Sequence, residues 1–300
     1  MASIIIVSFN TEELTRNCLA SLAKFEPDSE VIVVDNASSD GSADMVASEF
    51  PDVKLIRLTE NVGFGGANNV GYQHATRDDI ILLNSDTILN DNALTQCRQR
   101  LHADPKLGVV SPALMGIDGR PQQCRHRFPT VGDHIRKALR KTPRSTADVP
   151  EDCCWLAGTC LVLKKEAVES AGGLFDDALF MYWEDADLSS RLLAAGWRLA
   201  ECKDIEIIHY GGASGGGPDS VRRPDLHAWY TFGRHHWFSK HRPVWERLSL
   251  WSLEVADTFR CFVRGLLHRE KRTEWVHAST MLRVLLGRIV GRKPSPIGKS

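Results

Sequence analysis

Three residues able to carry charge or a lone pair stand just after short apolar runs. Asp35 follows the run 31–34, Asp86 closes Asn84-Ser85-Asp86 after 80–83, and His209 follows 205–208. In an open α/β sheet, ligands bind outside the carboxyl ends of the strands, so such runs deliver their next residues to one crevice. Two carboxylates and an imidazole there suit a hard divalent cation. Mg2+ takes one or two carboxylates and leaves its other positions to water and phosphate oxygens, and a histidine ligand suits Mn2+ as well. Ser8, Phe9 and Asn10, after the run 4–7, reach the same edge. Taken singly, Asp35 and Asp86 are ordinary turn or capping residues, and a lone histidine is more often structural. Together, at strand ends, they favour a site.

Two further clusters bear on chemistry. The segment 61–71 reads NVGFGGANNVG. Gly63 and Gly65 open like a dinucleotide fingerprint, but Asn68 stands where the third glycine belongs, and the segment follows the third strand rather than the first. Its small residues, Gly66 among them, are read instead as letting a loop and a helix start lie close to a nucleotide, with Asn61 or Asn68 bonding to it. Glu184, Asp185 and Asp187 place three acids in the first turn of a helix, where they complement the helix dipole at about 0.3–1 kcal/mol per charge. Trp155 and Trp183 are either a sugar platform or core aromatics.

Positioning these residues requires strands that alternate with helices. The short β-branched runs at 4–7, 31–34, 53–58, 80–83 and 109–110 are separated by helix-like patterns such as 12–24 and 42–50. That alternation predicts a doubly wound, mainly parallel α/β sheet flanked by helices. Residues 116–150, basic and proline-rich, read as a variable loop or insertion. The glycine-rich stretch 211–217 reads as a mobile loop, and residues 291–300 as a disordered end. From about Asp225 the pattern is helical, with Trp229, Phe232, Trp237, Phe238, Trp245, Trp251, Phe259 and Phe262 among Arg and Lys. The expected division is a catalytic unit over 1–217 and a helical, basic extension over 218–300.

Composition narrows the class. Three hundred residues with 43% hydrophobic and 25% charged content can bury a core without disulfides or structural metal. The eight cysteines form no C-x-x-C pair, which excludes ordinary zinc spacing and suits reduced thiols in a cytoplasmic protein. The start of the chain lacks a basic n-region, and no stretch reaches the roughly 20 apolar residues of a bilayer span. The net charge of −1 hides an asymmetry, since residues 240–300 carry 13 Lys and Arg against 5 Asp and Glu. Without a nucleic-acid fold signature, that basic tail points away from nucleic acid. It reads either as amphipathic helices on the anionic inner face of a membrane or as an extension packing on the catalytic unit or a second subunit.

The motifs at 7–10, 34–41, 61–71, 84–86, 173–176 and 183–187 together resemble glycosyltransferase family 2, in family order and spacing over residues 3–215. The forms NVGFGGANN and YWED are most similar to bacterial rhamnosyltransferase-like members. The resemblance implies a GT-A fold and an inverting, metal-dependent hexosyltransferase. Such an enzyme moves a sugar, with L-rhamnose from dTDP-rhamnose as first choice and a UDP-sugar as second, to a glycan or lipid-linked saccharide. A non-catalytic nucleotide- or carbohydrate-binding relative is the alternative. Asp35 would contact the nucleobase, with Ser8 and Asn10 nearby. Asn84, Ser85, Asn61, Gly66 and Asn68 would line the donor, and Asp86 with His209 would hold Mg2+ or Mn2+. Asp185 would be the general base, with Glu184, Trp155 and Trp183 near the acceptor. Asn84 stands where the family motif has its first aspartate, so one carboxylate is missing.

Overall fold

The computed structural model describes residues 1–138, 154–211, 224–267, 272–289 and 291–295. Of the expectations above, residues 139–150, the glycine stretch beyond 211 and the last five residues lie outside the described residues. The first half alternates as expected: β1 (Ser3–Ser8), α1 (Glu12–Phe25), β2 (Glu30–Asp35), α2 (Ser42–Glu49), β3 (Lys54–Arg57), α3 (Gly63–Gln73) and β4 (Asp79–Asn84). These strands lie side by side as β3-β2-β1-β4, all parallel.

The second half is β5 (Thr87–Ile88), α4 (Ala93–Ala103), β6 (Leu107–Met115), β7 (Pro121–Gln122), β8 (Arg125–Arg127), α5 (Val131–Ala138), β9 (Cys154–Leu156), β10 (Cys160–Lys164), α6 (Lys165–Ser170), α7 (Glu184–Ala194) and β11 (Arg198–His209). It extends the sheet through β10, antiparallel to both β4 and β6, and then β11, parallel to β6. β5 pairs with the end of β11 and β7 with the end of β6.

Side-chain alternation explains why the sheet is covered on both faces. Ile4 and Ile6 of β1 pack with Cys18, Leu19 and Leu22 of α1, and with Leu94 and Leu101 of α4. Ile5 points the other way, toward Ala67 of α3 and Leu188 and Leu192 of α7. A strand buried on both faces must be apolar throughout, which is why β1, β2 and β4 read as unbroken apolar runs. Their carboxyl ends are level, with Ser8 beside Asp35 and Val7 beside Asn84.

Residues 116–138 depart from the loop reading. They carry β7, β8 and α5, and β8 pairs with β9. Pro121 sits in β7, which folds straight back on β6, while Arg125 and Arg127 sit in β8, whose partner β9 is distant in sequence.

The C-terminal helices are α8 (Pro224–His241), α9 (Val244–Leu267) and α10 (Arg272–Ile289). The aromatic series divides between them. Trp229, Phe232, Trp237 and Phe238 of α8 are buried, with the Trp229 ring stacked on Phe180 at 4.8 Å. The Trp237 indole donates to Ser190 Oγ at 3.0 Å, tying α8 to α7. Trp245, Trp251, Phe259 and Phe262 of α9 are exposed. Among the described residues, no helix is long and apolar enough to cross a membrane.

Candidate active site

At the carboxyl edge of the sheet lies a cleft of about 330 Å3, lined by the ends of β1, β2, β4 and β11 and by the start of α7. Pairing of β5 with the end of β11 sets Thr87 opposite His209, and the Tyr210 amide donates to the Asp86 carbonyl at 2.9 Å. These bonds bring His209 Nε2 to 3.3 Å from Asp86 Oδ1.

Gln122, at the end of β7, holds the histidine at two points. Its Nε2 donates to the His209 carbonyl at 2.9 Å, which leaves Oε1 as acceptor for the ring Nδ1 at 2.6 Å. Nδ1 therefore carries the proton. In the neutral ring, Nε2 then presents a lone pair to a carboxylate oxygen that is buried and has no hydrogen-bond partner. Two lone pairs facing across 3.3 Å repel unless a proton or a metal cation lies between them. Asn84 Oδ1, in the same cleft, is also buried without a partner. These donors fit a divalent cation held only in part by protein. Among the described residues there is no group of three or more His, Cys, Asp or Glu side chains to enclose one.

Across the cleft stands the start of α7. Tyr182 and Trp183, which precede it, both adopt positive φ (69° and 75°), a conformation costly for side-chain-bearing residues and one that clusters at functional sites. The turn presents Glu184 and Asp185 to the cleft. Asp185 Oδ2 accepts from the Gly158 amide at 3.0 Å and Oδ1 from the Ala186 amide at 2.8 Å. Burial pushes its carboxyl up to about 6, against the lowering effect of those two amides. Glu184 is raised well above the ordinary carboxylate range, by burial first and then by the neighbouring Asp185 charge. Its Oε2 is buried without a partner. Asp187 differs completely: it is fully buried, bonded by Arg191 and His241 and paired with Lys240, and these partners hold it down to about 2.

Of the residues singled out in the sequence, Asn61, Asn84, Ser85, Asp86, Glu184, Asp185 and His209 line the cleft. Others do not reach it. The Ser8 hydroxyl is buried beneath the edge against Thr11 and Thr15. Asn10 braces the neighbouring turn, its Oδ1 accepting from the Ser39 amide at 2.8 Å. Asp35 is buried just below the cleft, with Oδ2 bonded to the Ser38 amide and Oδ1 unpaired.

The glycine segment needs a different explanation from the nucleotide contact expected of it. A Cβ on Gly63 would lie 2.1 Å from the Phe180 carbonyl, and one on Gly65 2.8 Å from that of Leu179. The glycines let the chain leading into α7 lie directly on α3, and the Phe64 amide donates to the Phe180 carbonyl at 2.7 Å. Gly66 faces Val62, and Asn68 is buried with its amide on the Phe64 carbonyl, so both belong to packing. Trp183 is buried against Trp237, which removes it as a sugar platform. Trp155 stacks on His126 at 4.5 Å, outside the cleft lining.

Sequence reasoning missed Gln122, Gly158 and Asn36. Asn36 had a signal, since it follows Asp35 at a strand end. Its Oδ1 accepts from the Val62 amide, and its Nδ2 donates to Asn61 Oδ1.

Comparison with known proteins adds relatives to this geometry. The family model described as "Glycosyl transferase family 2" matches residues 3–171. An N-acetylglucosaminyl-diphospho-decaprenol L-rhamnosyltransferase of Mycobacterium tuberculosis is 27% identical over 84% of this chain and 89% of the relative. A low-salt glycan biosynthesis hexosyltransferase of Haloferax volcanii is 24% identical over 69% of this chain and 66% of that protein. Among solved structures, a mannosyltransferase of Pyrobaculum calidifontis in complex with GDP-Man and Mn2+ superposes with a TM-score of 0.56. It shares 18% identity, over 97% of this chain and 87% of the other. That likeness bears on the fold, which is of the GT-A kind expected.

Proposed function

The chain belongs to glycosyl transferase family 2, and from that premise we propose an inverting, metal-dependent transfer of L-rhamnose from dTDP-rhamnose to a hydroxyl of a glycan or lipid-linked saccharide. The donor and acceptor follow the relative from Mycobacterium tuberculosis, whose name specifies rhamnosyl transfer to a lipid-linked saccharide and whose match spans nearly both chains. One observation carries the reading. A cleft holds a buried, unpartnered Asp86 Oδ1 3.3 Å from His209 Nε2, together with a carboxyl at Asp185 raised by burial to about 6.

Asp86 Oδ1 and His209 Nε2 would hold Mg2+ or Mn2+, with the donor's diphosphate oxygens completing the shell. When bound, the metal supplies Lewis-acid stabilisation of charge on the departing nucleoside diphosphate. Asn84 and Ser85 lie beside that diphosphate. Asn61, fixed by Asn36, faces the nucleoside, and the unpaired Asp35 Oδ1 supports a contact at its base end. Asp185 takes the proton from the acceptor hydroxyl as that oxygen attacks the anomeric carbon opposite the leaving group. One displacement inverts the centre and needs no covalent intermediate. Asp187, already bonded by Arg191, Lys240 and His241, is not available for this role. The reaction belongs in the cytoplasm, a setting consistent with the buried Cys18, Cys97, Cys124, Cys160 and Cys202, none of which is in a disulfide.

The test is release of nucleoside diphosphate from dTDP-rhamnose, UDP-sugars and GDP-sugars, each with Mg2+ or Mn2+ and a set of lipid-linked and free saccharides. Turnover strongest with dTDP-rhamnose is expected. Tight nucleotide binding with no turnover on any acceptor would establish the non-catalytic alternative.

A further inference from the structure

Helix α9 carries a second apolar face turned away from the protein body, besides the inner face where Leu250 and Leu253 pack. A surface helix turns its apolar stripe to the core and its charges to water. Here Glu246 and Glu254 face inward, at 9% and 6% exposure. Glu254 is held there by Arg234 and His235, and Glu246 lies 3.9 Å from Arg242. The outward face carries Trp245, Leu248, Trp251, Val255, Phe259 and Phe262, with Trp245 and Leu248 each 63% exposed and Phe259 67%. Their spacing of three or four residues makes one continuous stripe along a 24-residue helix about 36 Å long. Beside its second half, a groove of about 460 Å3 opens between α9 and α10, where Phe259 and Phe262 face Leu282 and Leu285.

We propose that this face docks the protein on an anionic lipid bilayer, with α9 lying in the plane of the interface and the α9–α10 groove receiving acyl chain. Charge selects this occupant. Arg247 and Arg260 are exposed, the latter paired with Asp257, and their positions on the helix flank the stripe on its two sides. They lie in a segment carrying 13 Lys and Arg against 5 Asp and Glu. An apolar stripe between basic flanks matches acyl chains below a layer of anionic headgroups. A second copy of the chain would instead bring arginine flanks against arginine flanks. Tryptophan suits the headgroup level, where its ring is buried and its N–H stays wet. The inference goes beyond the transfer reaction and does not depend on it, although a bilayer surface is where a lipid-linked acceptor would be met.

The test is co-sedimentation of the full chain with vesicles of phosphatidylcholine alone and of phosphatidylcholine mixed with phosphatidylglycerol. Partition into the mixed vesicles is expected, weakening as salt rises. The double substitution Trp251→Glu and Phe259→Glu is expected to lower it by about tenfold or more. Arg247→Glu is expected to lower binding to mixed vesicles alone, by about fivefold. Nucleoside diphosphate affinity reports an intact fold in each variant. Absence of partition, or partition that survives the double substitution, overturns the proposal. So does a dimer in sedimentation velocity that the double substitution dissociates while vesicles are ignored.

Discussion

Asp185 and Asp187 sit in the first turn of the same helix, two residues apart, and meet opposite surroundings. At the sheet edge, Asp185 and Glu184 face the cleft, and both are raised by burial. In the seam between α7 and α8, Asp187 is matched by Arg191, Lys240 and His241. Nearby Asp176 is matched by His236 and Lys240, and both aspartates are lowered. There the oxygens of both aspartates find partners, as a stabilising contact must. The cleft leaves Asp86, Asn84 and Glu184 oxygens unsatisfied, at a cost of about 1–3 kcal/mol each. That cost is sustained where a ligand can relieve it, so the contrast supports dividing the acids proposed for chemistry from those that hold the fold.

Exchanging the two acids' roles by mutation is the sharpest way to break the contrast. Asp185→Asn should lower kcat by about 10²–10⁴ with little change in donor KM. Steady-state kinetics that show near-wild-type turnover would end its assignment as base. Asp187→Ala should instead destabilise by about 3 kcal/mol or more, because it leaves Arg191, Lys240 and His241 without their shared buried partner. Denaturant unfolding measures this loss, and the surviving folded protein should keep its donor KM.

The pH dependences should also part. The base works ionised and its carboxyl is raised, so kcat/KM should climb as pH rises through about 6, roughly tenfold per unit below it. Asp187 is depressed, so its stabilisation is full above the ordinary carboxylate range near about 4 and is lost as pH falls toward about 2. A rate profile flat between pH 5 and 7 would remove the link between burial and catalysis. The smallest effect belongs to Glu184→Gln. Burial raises the Glu184 carboxyl and favours its neutral form, which the amide resembles, so turnover should fall less than about tenfold and stability should change little.

The sequence made the edge of the sheet legible because a doubly buried strand must be apolar, and the first polar residue after it marks the edge. Asn84, Asp86 and His209 were found in this way. The same rule over-reached at Ser8, where the hydroxyl turns back into a buried cluster with Thr11 and Thr15. Gly63 and Gly65 looked like part of a nucleotide loop because small residues announce a close approach without saying what approaches. Here it is the backbone at 179–180. Gln122 and Gly158 carried no local signal. Gln122 acts on a histidine 87 residues away, through a hairpin hidden in a stretch that reads as a loop. The C-terminal aromatics were read as one series, yet burial splits them between α8 and α9, a division set by tertiary packing.

The most direct test is calorimetric titration of Mn2+ into the protein with and without dTDP or UDP. Asp86 and His209 alone form an incomplete shell, so binding to the free protein should be weak. It should strengthen by about 10²-fold or more when a diphosphate is present, and Asp86→Ala should abolish that gain. Tight Mn2+ binding without nucleotide, or a gain that persists in Asp86→Ala, would contradict the assignment of this edge as the donor–metal site.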